Sequence, residues 1–153
     1  MKKILLVAIN AKYIHSNLAV YDLQAYARKE LAGESPAEIR IREYTINQQP
    51  DEILGSIYEE QADVLCLSCY IWNLQTVELL VRDLSRIRPG FPIWLGGPEV
   101  SYDSRDVLRR LPQVKGVMKG EGEETFACLC RLWGKGDPSD EDLAGVEGIS
   151  FRR

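Results

Sequence analysis

The chain has 153 residues, 45% of them apolar and 27% charged, with 12 Gly, 7 Pro and 4 Cys, a length that suits one compact domain. That apolar share, with three Trp, seven Tyr and three Phe, fills a real core and excludes disorder over most of the chain, along with repeat arrays and collagen-like folds. A formal charge of −4, with no Lys/Arg block longer than a pair, leaves no nucleic-acid footprint.

Ile4 to Ile9 is a continuous apolar run, as in a strand buried on both faces of a helix-covered parallel sheet. It is far too short to span a bilayer and lacks a small-residue cleavage site, so the expectation is a soluble cytoplasmic protein without membrane or nucleic-acid partners. After the polar stretch Asn10 to Asn17, Leu18, Val20, Leu23, Ala27 and Leu31 recur at helical spacing until Gly33 and Pro36. Ile39 to Tyr44 alternates with period two, which predicts a less buried strand near a sheet edge, and Ile53, Leu54, Ile57 and Tyr58 mark a helix behind Pro50.

Val64 to Tyr70 reads as a second buried strand, and Val77, Leu80, Val81, Leu84 and Ile87 as a long helix ending before Pro89. Phe91 to Leu95 is a short strand closing on Gly96 and Gly97; Val107 to Leu111 is a short helix, Val114 to Met118 a strand, and Glu123 to Trp133 a helix. Five βα units predict an α/β, three-layer fold: a five-stranded parallel sheet with helices on both faces, flavodoxin-like or Rossmann-like. The domain is expected to span residues 1–133, with 134–153 a linker and the start of a following segment, as in a piece of a longer protein.

The four cysteines read as buried apolar thiols. Cys66 and Cys69 fall on opposite strand faces, and Cys128 and Cys130 lie about 200° apart around a helix, so neither pair easily shares an ion.

In open parallel sheets ligands sit outside the carboxyl ends of the strands. The loops there read Asn10 to Asn17, Ser68 to Asn73, Gly96 to Ser101 and Gly120 to Glu124, rich in glycine, amides and aromatics, as a large, partly polar surface requires. No G-x-G-x-x-G follows the first strand and no G-x-x-x-x-G-K-[ST] occurs, which demotes nucleotide binding, and Asn10 and Ser68 stand where a phospho-receiver would carry acidic groups.

Leu67-Ser68, Leu95-Gly96-Gly97-Pro98-Glu99-Val100-Ser101 and Gly120-Glu121-Gly122-Glu123, in this order, resemble the N-terminal cobalamin-binding domain of cobalamin-dependent radical S-adenosylmethionine (SAM) proteins, from about Lys3 to Trp133. Some of these proteins carry the label anaerobic magnesium-protoporphyrin IX monomethyl ester cyclase. The resemblance implies that the strand ends hold the corrin, with the nucleotide tail of cobalamin beside the sheet flanked by Ser68, Gly96 and Gly97. Around them it implies contacts from Asn10, Tyr13, His15, Ser16, Tyr70, Trp72, Asn73, Pro98, Glu99, Gly120, Glu121 and Gly122. Tyr70 and Trp72 either cover the corrin or close the core edge; Glu123 and Glu124 either meet the ligand or oppose a helix macrodipole.

Many cobalamin modules carry D-x-H-x-x-G after the first strand, where His ligates cobalt and Asp orients it. Here the stretch is Tyr13-Ile14-His15-Ser16-Asn17-Leu18: the chain's single His keeps its offset, but Asp and Gly are replaced. His15 is therefore either a cobalt ligand with an unfixed tautomer or an ordinary loop His.

Taken whole, the resemblance implies a cobalamin-binding domain that presents its cofactor to a C-terminal radical SAM domain. That domain would bring S-adenosylmethionine and a [4Fe-4S] cluster for methyl transfer or related radical chemistry. The cluster's C-x-x-x-C-x-x-C spacing is absent here, so the fragment alone is not expected to catalyse. The alternatives are a docking domain that has lost cobalamin and a flavin or nucleotide binder of the flavodoxin type.

Overall fold

The computed structural model describes residues 2–11, 18–34, 37–120 and 122–153. Six strands, β1 (Lys3–Asn10), β2 (Glu38–Thr45), β3 (Val64–Ser68), β4 (Ile93–Gly96), β5 (Gly116–Met118) and β6 (Ile149–Phe151), form one sheet in the order β2-β1-β3-β4-β5-β6. The first five are parallel; β6 pairs antiparallel with β5, Val117 opposite Ser150.

The helices are α1 (Leu18–Glu30), α2 (Pro50–Glu59), α3 (Leu74–Ile87), α4 (Pro98–Ser101), α5 (Ser104–Arg110), α6 (Glu123–Lys135) and α7 (Asp140–Ala144). Strand alternation decides which helices cover which face. Leu5, Val7 and Ile9 of β1, with Leu65, Leu67 and Ile93, pack under Ile53 and Ile57 of α2 and Val77, Leu80 and Leu84 of α3. Ile4, Leu6 and Ala8, with Cys66 and Trp94, pack under Val20 and Ala27 of α1, Phe126, Leu129 and Trp133 of α6, and Leu143 of α7. Ile4, Leu5, Leu6 and Val7 are each at most 1% exposed, and burying such side chains contributes about 1.5–3 kcal/mol apiece.

The α/β class, the parallel arrangement of the predicted strands and the edge position of β2 match the reading of the sequence. The charged Arg40, Arg42 and Glu43 of β2 suit an edge strand, which meets water. The strand count differs: the sheet has six strands, not five. The sequence from Val146 to Arg153 reads as extended, with Ile149 and Phe151 alternating, but too short for a complete element; β6 forms there because its backbone completes β5, with Arg152 N–H donating to Lys115 O at 2.8 Å and Lys119 N–H to Gly148 O at 2.8 Å. Residues 134–153 thus contribute α7, opened by a Ser139 and Asp142 capping box and packed on the sheet through Leu143, and β6, which joins the sheet.

Because β1 lies between β2 and β3, the connections leave it to opposite sides, α1 to one face and α2 with α3 to the other. The carboxyl edge beside β1 and β3 is therefore the topological switch point at which such sheets hold ligands. No helix among the described residues is long and apolar enough to cross a membrane.

Candidate functional site

At that edge lies a cleft of about 590 Å³ between the sheet and α1. Its floor is Leu6 and Cys66, direct neighbours in the β1–β3 register, and its helical wall is Ala19, Val20 and Leu23 on one face of α1. Ser68, Gly96, Gly97 and Met118 supply the strand ends, with Pro98, Ser101, Gly120 and Gly122 beyond them and Tyr70 and Tyr102 at the rim. Burial pushes the Cys66 thiol far above the ordinary thiol range, so it enters the cleft wall as a neutral, weakly polar group. No charged side chain lines the cleft among the described residues.

Backbone geometry keeps the cleft open. Gly97 has φ +103°, and a Cβ there would lie 2.9 Å from Cys69 N, so only glycine lets the loop after β4 fold onto the loop after β3. The two are joined by Cys69 N–H donating to Gly96 O at 2.7 Å and Glu99 N–H to Cys69 O at 3.4 Å. Ser101 Oγ donates to Gly97 O at 2.8 Å and accepts from Gly120 N–H at 3.3 Å, tying the loops after β4 and β5 to each other.

The loop after β3 is held from within. Asn73 is 0% exposed; its Nδ2 donates to Ile9 O at 3.0 Å and Ser68 O at 3.1 Å, while its Oδ1 accepts from Tyr70 N–H at 2.9 Å. Trp72 Nε1 donates to the same Ile9 O at 3.2 Å, and its ring stacks on Tyr70 at 4.5 Å and 6°. The result is a fixed aromatic ledge, with Trp72 46% and Ile71 79% exposed beside the strand ends. Next to it Asn10 Nδ2 donates to Glu43 Oε1 at 3.1 Å, and Tyr21 OH donates to Glu43 Oε2 at 2.8 Å. That bond to Glu43 holds the Tyr21 phenol above its ordinary pKa.

Of the residues singled out in the sequence, Ser68, Tyr70, Gly96, Gly97, Pro98, Gly120 and Gly122 line the cleft together. Asn10, Trp72, Asn73 and Glu99 sit around it without lining it, Asn73 with its amide spent on backbone and Glu99 exposed on α4. Tyr13, His15, Ser16 and Glu121 lie outside the described residues. Glu123 and Glu124 open α6 in its first turn.

Sequence reasoning missed Leu6, Ala19, Val20, Leu23, Cys66, Tyr102 and Met118, which read as ordinary core and helix positions, and passed over Ser101 although it closes the L-G-G-P-x-x-S motif.

The donor set fits cobalamin, a neutral amide-rich macrocycle with a nucleotide tail. The cleft is apolar, uncharged among the described residues and walled by four glycines, so backbone rather than side chain forms its strand-end wall.

The family model of the B12 binding domain matches residues 4–129. Over 112 residues the chain is 34% identical to a 2-(S-pantetheinyl)-carbapenam-3-carboxylate methyltransferase of Streptantibioticus cattleyicolor, covering 69% of this chain and 16% of that protein. Over 93 residues it is 31% identical to the cobalamin-dependent radical SAM methyltransferase TokK of Streptomyces tokunonensis, covering 61% and 13%. The solved structure of the cobalamin-dependent S-adenosylmethionine radical enzyme OxsB with aqua-cobalamin bound superposes with a TM-score of 0.76 at 22% identity, covering 99% of this chain and 21% of that one. The chain therefore spans about a sixth or less of the curated relatives it matches. By its sequence and its fold, this chain belongs to the B12-binding domain family.

Proposed function

We propose that the chain holds cobalamin at the carboxyl edge of its sheet and presents it to a radical SAM domain that follows in the same parent protein. The observation that carries this is the uncharged, glycine-walled cleft at the β1/β3 switch point, tied shut on one side by Ser101. The nucleotide tail would occupy the cleft, against Leu6, Val20 and Cys66, with Ser68, Gly96 and Gly97 flanking it. The Tyr70–Trp72 ledge would support the corrin outside, and the backbone N–H groups of the first turn of α6, behind Gly122, would meet corrin amides. Bound cobalamin supplies methyl-transfer or related radical chemistry.

The lining favours this reading over a flavin or nucleotide. Against a nucleotide stand the missing G-x-G-x-x-G and G-x-x-x-x-G-K-[ST] motifs and the lack of a cation among the described lining residues.

The test is a hydroxocobalamin titration followed by calorimetry and visible spectroscopy, on the wild type and on His15→Ala. Binding with the same spectrum in both proteins assigns a cobalamin domain that leaves cobalt without a His ligand. A spectrum that changes in the variant makes His15 the ligand. Absence of binding, repeated on a chain extended through the radical domain, overturns the reading in favour of a docking domain.

A further inference from the structure

A second cleft, of about 490 Å³, opens at the opposite, amino end of the sheet. Its floor is Val64, Trp94, Trp133 and Leu143, with the two indoles meeting edge to face at 5.9 Å. Four of the chain's seven prolines, Pro89, Pro92, Pro112 and Pro138, lie around it, so the backbone at its mouth has little torsional freedom left to lose. The volume falls in the range of small-molecule sites, and the walls are largely apolar.

One polar group there is unsatisfied. Gln113 Oε1 is buried and accepts no hydrogen bond, an arrangement that costs free energy unless a donor arrives. Gln113 lines the cleft, and rotation about its soft terminal torsion is the movement by which this acceptor would meet a ligand. The nearby cations are already engaged: Lys115 Nζ donates to Arg152 O at 2.5 Å and pairs with Asp140 at 3.7 Å, while the Arg152 guanidinium donates to the carbonyls of Leu108, Leu111 and Val114. The anion in the lining, Asp137, lies at the exposed rim and pairs with Lys2 at 3.4 Å, so no buried charge is left to meet a ligand.

We propose that this cleft is a binding site for a small neutral aromatic molecule carrying one N–H or O–H donor, the ring lying against the Trp94 and Trp133 floor and the donor meeting Gln113. It is independent of the cobalamin reading, because it shares no lining residue with the cleft at the carboxyl edge.

The probes are indole and 1-methylindole, which differ by the donor. Titrated into the isotope-labelled chain, indole should shift the side-chain N–H resonances of Trp94 and Trp133. That of Trp72, which sits at the far end and donates to Ile9 O, should stay in place. Indole should bind about tenfold more tightly than 1-methylindole, the worth of one net hydrogen bond, and Gln113→Leu should bring the two within about twofold. Equal affinity of both probes for the wild type overturns the assigned donor and with it the proposal, with no variant needed. Shifts confined to Val20 and Leu23 in the other cleft overturn it too, as does concentration-dependent self-association that shifts Trp94 and Trp133 without probe, which would assign the cleft to a second copy.

Discussion

Ser101 accepts the backbone N–H of Gly120 at 3.3 Å, joining the loop after β4 to the loop after β5 across the mouth of the cleft at the carboxyl edge. The same hydroxyl donates to Gly97 O at 2.8 Å, so one side chain fixes both glycine loops. Ser101→Ala should lower stability by about 1 kcal/mol, the net worth of such bonds. It should weaken hydroxocobalamin more than that loss of stability alone explains, because the loops must then be ordered by the ligand. Urea denaturation and calorimetry on the same variant separate the two effects, and unchanged affinity would remove Ser101 from the site.

Gly97 makes the sharper case. Its φ of +103° and the near-contact of any added Cβ with the Cys69 backbone combine strain and clash at one position. Gly97→Ala should destabilise the fold by about 1–3 kcal/mol and narrow the cleft, with a matching loss of cobalamin affinity. Gly120→Ala is the comparison: its φ is +70°, but nothing lies within 4 Å of an added Cβ, so only about 1–2 kcal/mol of left-handed strain is at stake. Equal effects of the two substitutions in thermal denaturation would show that clash with Cys69 plays no part.

The parts of this molecule that were legible in the sequence are those whose burial repeats along the chain. β1 declares itself because Ile4 to Ile9 are buried alternately under α2 with α3 and under α1 with α6, leaving no polar position. β2 declares itself by Arg40, Arg42 and Glu43 on an edge. The single turn of α4 is too short for any period, and in β6 the alternation of Ile149 and Phe151 hints at an extended segment while its pairing with β5 is encoded by no local pattern. The strand-end glycines of the cleft were legible through their motifs. Its floor was not, since Leu6, Cys66 and Met118 differ from their core neighbours only in standing beside open space. Asn73 looked like a ligand contact because loop amides often are; the loop after β3 instead turns it inward onto Ile9 O and Ser68 O.

That inward turn predicts a structural phenotype. Asn73→Ala would leave Ile9 O with the Trp72 bond alone, at a buried point, and Ser68 O and Tyr70 N–H without the Asn73 amide, at part-buried ones. The expected cost is about 2–4 kcal/mol, two to three net hydrogen bonds with part of the desolvation penalty. Trp72 fluorescence should move toward that of a solvated indole as the ledge loosens. A variant as stable as the wild type, with an unmoved Trp72 emission, would mean that the Asn73 bonds contribute little to holding the ledge.

Three thiols give the fold a defined alkaline limit. Burial raises the Cys66, Cys69 and Cys130 thiols far above their ordinary range, so the folded state keeps them protonated where an ordinary thiol ionises. Unfolded, each ionises near pH 8.5. Above that value the unfolded state binds fewer protons than the native one, so stability falls as pH rises: it is fully present below about pH 8 and declines beyond it. The slope approaches about 1.4 kcal/mol per pH unit for each thiol. Urea midpoints measured from pH 7 to pH 10 should therefore drop, and Cys66→Ala, Cys69→Ala and Cys130→Ala should each flatten the drop by about a third, whatever they cost at neutral pH. The same burial predicts the order of alkylation. Cys128, half-buried, reacts first in the native protein, and the other three only as it unfolds. A stability curve flat to pH 10, or native-state labelling of all four thiols at one rate, would contradict the buried, protonated state assigned to them.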